Sequence, residues 1–378
     1  MFDVGREHRH RPFRGRMAHA LLCSYGFYPH FLEPIHPRLA TRTDLGQFHS
    51  DAYIEVLATA QKAVERAKSA EWEGRFRELV GRFGLALDGS PHAVFPGLLD
   101  YCRLMATGSL GCAANLCSGE ANVAINWYGG QANARSSMAQ NGCYVNDCVL
   151  ATLQLLARFR KVLYVNLSGV HCDAVEQAFY TTPRVLTVSF HAKLEPGDPL
   201  GSEFPGTGDI ADCGVDDGEG FVLNVPVEPG IDDKAFVPLF RSIVAKLKQH
   251  YSPDAVVVQC GAGLLAGERD GLFYLTCRGY GDCVRQLRDL EVPLLLLGGP
   301  GASLALSARL WAYLTTVVLG LETSLPNIVP EDCAYRDYYA PAYEAVPPRA
   351  DIPEDVVSPK ALASLRRKIM NQIERLKR

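Results

Sequence analysis

Five short apolar runs, none alternating with polar residues and each followed or flanked by helical spacing, constrain this chain more than any other feature. They read VAINW (123–127), KVLYVNL (161–167), VLTVSF (185–190), AVVVQC (255–260) and VPLLLLG (292–298). Unbroken runs of Val, Ile and Leu suit strands covered on both faces, the environment of a parallel sheet. Residues 146–160, 233–250, 279–290 and 303–321 carry apolar positions at helical spacing. Strands alternating with helices predict an α/β fold whose central, mostly parallel sheet is joined by right-handed crossovers. The first third, to about residue 116, reads as mostly helical, including 17–25 and 50–68.

With 378 residues, 48% of them apolar, the chain can bury a large core, and a formal charge of −4 gives its body no reason to bind nucleic acid. Twelve cysteines are present but none forms a C-x-x-C pair, so reduced, buried thiols are expected rather than a zinc finger. The N-terminus MFDVGREHRHRPFRGR lacks an apolar signal core, and its acidic residues argue against a transit peptide. The most apolar stretch, 292–321, is interrupted by GGPG and carries Arg309, so no membrane span is expected. Past Pro348 the chain turns Pro-rich, then Ser358 and Pro359 open a basic helix. Two readings of that helix stand: a solvated surface helix, or a docking element for an acidic partner or nucleic acid.

The second run continues into a polar loop, VLYVNLSGVHCDAVEQAFYT (162–181), at a strand end where α/β proteins place their chemistry. Together with FHSDAYIEVL (48–57), AINWYGG (124–130), CYVNDCVLA (143–151), VEQAFYTTPRVLTVSFH (175–191), FPGTGDI (204–210), LNVPVEPGIDD (223–233), VVVQCGA (256–262) and LLLLGGPG (294–301), it resembles the zinc-dependent histone deacetylase family, most closely the class I type. The resemblance covers roughly residues 16–327. It implies the arginase/deacetylase fold, a three-layer α/β sandwich, here over residues 1–345, with 346–378 as linker and basic helix.

In that family, two aspartates and a histidine hold zinc, which activates water and polarises the acetyl carbonyl. Two adjacent histidines move protons, and a tyrosine donates to the oxyanion. The resemblance puts these positions on residues that cannot do the work. The family's D-x-D-x-H-H-G-D-G is Asn166-Leu-Ser168-Gly-Val170-His171-Cys172-Asp173-Ala174, and the third zinc ligand falls on Gly263. The zinc positions are therefore Ser168, Val170 and Gly263. The histidine pair becomes Ala132 and Asn133, and Ala302 stands for the tyrosine. Asn166 replaces the aspartate that orients one histidine, while Asp173 is kept without its histidine. The two tunnel aromatics map to Gly142 and Phe204.

A structural monovalent cation, K+, is also implied, at Asn166, Ser168, Val170, Ser189 and Phe190. A second such site is implied at the carbonyls of Phe179, Thr182 and Val185. His171 reads as a structural histidine, and Cys172 with Cys143 and Cys260 as buried thiols rather than a thiolate metal site. The glycines of LLGGPG read as inherited turn geometry. The segment HRPFRGRMAH is shortened where the family lines a product channel, and the family's first strand is reduced to FDVG (2–5), so no arginine is carried over.

The expectation is a catalytically inactive member that binds no zinc and acts as a scaffold or regulatory subunit. Its partners would be an active deacetylase paralogue or corepressor and chromatin proteins, in the nucleus or also the cytoplasm. The alternative is an acetyl-lysine or acyl-binding module using the vestigial tunnel, enlarged by Gly142, Ala132 and Ala302. An enzyme with new chemistry at His171 and Cys172 is disfavoured, because strand neighbours point to opposite faces.

Overall fold

All five apolar runs become strands in the structure, a computed structural model that describes residues 11–31, 36–64, 70–86, 92–194, 206–347 and 357–376. They are β1 (Val123–Asn126), β2 (Val162–Gly169), β3 (Val185–Ala192), β5 (Ala255–Gln259) and β6 (Leu294–Leu297). A strand that the apolar pattern did not announce, β4 (Val222–Val227), completes one sheet in the order β1-β6-β5-β2-β3-β4. Every pairing is parallel. β4 escapes a periodicity reading because Asn224 and Pro226 break its apolar run. It pairs only with β3, at the sheet edge, where a residue without an N–H is tolerated.

β2, β3, β5 and β6 are buried along their whole length, which explains why their sequences do not alternate. The helices are α1 (Phe13–Ser24), α2 (Arg42–Leu45), α3 (Asp51–Val64), α4 (Ala70–Gly81), α5 (Leu98–Ser118), α6 (Asp147–Leu156), α7 (Asp173–Phe179), α8 (Asp233–His250), α9 (Cys277–Arg288), α10 (Leu304–Leu319) and α11 (Pro359–Glu374). Their starts are chemically marked. Asn146 Oδ1 accepts from Val149 N on α6 at 3.0 Å, and Ser303 Oγ accepts from Leu306 N on α10 at 3.2 Å. None of the described helices is long and apolar enough to cross a membrane.

The strand order explains where a site must lie. From β2 the chain runs outward through β3 to β4, then returns to β5 on the other side of β2 and runs outward again to β6. The connections therefore diverge between β2 and β5, and the crevice beyond their C-terminal ends is the ligand position of such sheets. Ser168 ends up on one lip of that crevice and Gly263 on the other.

The basic helix expected at the tail forms as α11, with Ser358 Oγ accepting from Ala361 N at 3.3 Å. It is not solvated all round. Ile369 and Ile373 are fully buried against α8 and β4, and Lys246 on α8 reaches Glu374 at 2.7 Å. Arg366, Arg367 and Lys368 face outward. The reduced strand FDVG lies outside the described residues.

Candidate functional site

Ser168, Val170, Gly263 and Ala302 line one small cavity with Glu268, Asp270, Leu272, Phe273 and Pro300. Residues far apart in sequence thus converge where the resemblance places zinc and the oxyanion donor. The cavity volume is about 10 Å³, room for roughly one water. Ala302 borders this cavity, whereas Ala132 and Gly142 do not. Gly142 instead takes a positive φ of 76° and donates its N–H to His92 Nε2 at 2.7 Å. Phe204, the other tunnel position, lies outside the described residues.

The donor set does not fit zinc. Where the resemblance implies two carboxylates and an imidazole, the chain offers a hydroxyl, an isopropyl group and a glycine. Ser168 Oγ is itself engaged, donating to the Val170 carbonyl at 3.1 Å. At Gly263 there is no room for a ligand side chain, because a Cβ built there runs into the Ser168 carbonyl oxygen. Among the described residues no group of three His, Cys, Asp or Glu side chains is placed to hold a metal.

The positions to which the resemblance gives proton handling are engaged in other contacts. Ala132 and Asn133 are buried, and the Ala132 and Ala134 carbonyls both accept from Asn146 Nδ2 at 2.9 Å. Asp173 accepts from Arg135 Nη2 at 2.7 Å and Gln140 Nε2 at 3.1 Å, while its Oδ1 has no hydrogen-bond partner. The carboxylate that the resemblance pairs with a histidine is thus paired here with an arginine. Ala302 offers only its peptide: its N–H donates to Glu268 at 2.9 Å, and its carbonyl accepts from Arg11 at 2.8 Å.

His171 is 2% exposed, shares 2.8 Å with Glu176 Oε2 through Nε2 and 2.7 Å with Thr207 Oγ1 through Nδ1. Both ring nitrogens are occupied, as a structural histidine requires. Cys172 is the N-cap residue of α7 rather than a strand residue, so strand alternation is not what separates it from His171. Burial raises its thiol pKa, as it does those of Cys143, pushed up to about 12, and Cys260. Neutral thiols are poor nucleophiles and poor ligands. All twelve cysteines are free. Of the second set of carbonyls, that of Phe179 accepts from Thr182 N at 3.2 Å, where α7 turns toward Val185 at the start of β3.

Sequence reasoning passed over Arg14. It is 3% exposed, donates to the Gly299 and Gly301 carbonyls at 2.8 and 3.3 Å, and lies 5.0 Å over the Trp311 ring. Burial lowers its pKa to about 10, with Glu268 acting in the opposite sense. The same desolvation raises Glu268, which accepts from the Ala302 and Ser303 N–H groups. Arg14 therefore holds carbonyls of the GGPG segment, and Glu268 holds the N–H groups of the two residues after it. A signal existed, since Arg14 falls on the same helical stripe as Met17, Ala18 and Leu21. Trp127 and Trp311 stack at 5.8 Å in the core.

Comparison with known proteins agrees with this architecture. The model of the histone deacetylase domain matches residues 8–318. "Histone deacetylase 6" of Arabidopsis thaliana is 41% identical over 375 residues, 99% of this chain and 75% of that protein. "Histone deacetylase 3" of Oryza sativa subsp. japonica is 43% identical over 344 residues, 90% of this chain and 63% of that protein. "Histone deacetylase 1" of Homo sapiens is 38% identical over 343 residues, 91% of this chain and 67% of that protein. The chain therefore spans from 63% to 75% of the length of these relatives. With the sheet order, the crevice at its divergence and these matches in hand, the chain belongs to the histone deacetylase domain family.

Proposed function

We propose that this chain is a non-catalytic member of its family, serving as a scaffold or regulatory subunit of a deacetylase or corepressor assembly on chromatin. Its partners would be an active deacetylase paralogue or corepressor proteins, and its place the nucleus, with a share in the cytoplasm. The observation that carries this reading is Gly263. The position that the resemblance gives to a zinc-binding carboxylate lacks a side chain and has its space taken by the Ser168 carbonyl. Ser168 and Val170 complete a donor set that cannot bind the metal, so the nucleophilic water has no source. A fold that keeps its sheet, crevice and turn while losing the donors is then useful for its surfaces.

The test is metal analysis of the purified chain together with an acetyl-lysine peptide assay. We expect zinc well below one equivalent and no hydrolysis above buffer. Stoichiometric zinc with turnover would overturn the reading. Affinity purification from cells is expected to recover an intact deacetylase paralogue in comparable amount. The acyl-binding alternative fares less well physically, because a cavity of about 10 Å³ holds a water and not an acetyl group.

A further inference from the structure

The strand end that should carry a cation is instead closed by a chain of directed hydrogen bonds. Asn166 is fully buried at the end of β2. Its Nδ2 lies 2.6 Å from the Val170 carbonyl and 2.9 Å from Ser189 Oγ, while its Oδ1 accepts from Ser168 N at 3.0 Å. This orientation follows from chemistry. The Val170 carbonyl can only accept, so an amide oxygen at that distance would be repelled and the NH2 must face it. The Ser168 N–H can only donate, which places Oδ1 opposite.

The remaining partners complete the chain. Ser168 Oγ donates to the second lone pair of the Val170 carbonyl at 3.1 Å. His191 Nε2 donates to the Gly208 carbonyl at 3.0 Å, which leaves Nδ1 to accept from the Ser189 hydroxyl, also at 3.0 Å. Ser189 Oγ therefore turns a lone pair toward Asn166 Nδ2. Two of the oxygens that would coordinate a monovalent cation, Val170 O and Ser189 Oγ, already receive protons from the protein.

We propose that the side-chain amide of Asn166 is a built-in replacement for a monovalent cation at this strand end. An aspartate here would need an ion to offset a buried charge. The neutral amide supplies the positive end of a dipole in the same place and needs no counter-ion.

The experiment compares the melting temperature of the full chain and of N166D in potassium chloride and in choline chloride of equal ionic strength. The second carbonyl cluster, at Phe179, Thr182 and Val185, is common to both proteins, so the readout is the difference between them. We expect potassium to give N166D a saturable rise about 3–5 °C larger than that of the wild-type chain. A wild-type response equal to or larger than that of N166D would overturn the proposal. Should N166D fail to fold in either salt, selective 15N-asparagine labelling of the wild-type chain decides. Slowly exchanging Asn166 side-chain amide protons that do not move on potassium titration support the proposal. Fast exchange or a saturable shift refutes it.

Discussion

Single residues limit what substitution can add at the zinc positions that the resemblance implies. Gly263 is packed so that any Cβ meets the Ser168 carbonyl. Gly263→Ala should therefore destabilise by about 1–3 kcal/mol, the usual cost of overpacking, measurable by urea denaturation. For the same reason the triple variant S168D/V170H/G263D should still bind substoichiometric zinc by metal analysis. A pH dependence also originates here. Burial holds His49 down to about 4 and His191 to about 3. Unfolded histidines titrate near 6.5, so the unfolded chain binds more protons in the window from about 4 to 6.5, and stability rises with pH there. Asp147, raised to about 6 by burial, opposes this, because the folded state holds its proton above the unfolded value of 3.8. Replacing Asp147 with Asn removes the opposing titration and should steepen the rise. Urea midpoints between pH 4 and 7 for both proteins read this slope directly, whatever constant offset the substitution adds.

At the scale of elements, α11 shows how a basic segment can be structural and exposed at once. Its spacing presents Ile369 and Ile373 to β4 and α8, with Leu376 just past its end in the same core, and Arg366, Arg367 and Lys368 to solvent. Ile373→Ala should cost about 2–5 kcal/mol in chemical denaturation, the range for emptying a buried Ile site. Charge reversal of Arg366, Arg367 and Lys368 should leave the midpoint nearly unchanged, within about 0.5 kcal/mol per residue. Loss of partner capture by that reversed variant, with stability intact, would mark the face as a docking surface. The elements also show where pattern reading succeeds. β2, β3, β5 and β6 were legible because full burial removes alternation, and α8 because its stripe is clear. β4 was not, since Pro226 interrupts the apolar run and only an edge position in the sheet makes that acceptable.

At the scale of the molecule, one sheet order decides what the chain brings together. The divergence of connections between β2 and β5 places Ser168, Val170 and Gly263 around one crevice, and the GGPG turn after β6 adds Ala302. The sequence alone, set beside its family pattern, determined which chemical groups stand at those positions, because donor identity is a property of the residue and not of its surroundings. It also determined the α/β class, since burial on both faces leaves its mark in composition. Only the tertiary structure decided which partners these side chains take. Arg135 taking Asp173, Arg14 and Glu268 holding the backbone of the GGPG segment and of the two residues after it, and Asn166 bonding across to Ser189 are contacts between distant segments. Such contacts depend on directed hydrogen bonds over a few ångströms, and no linear pattern encodes those distances.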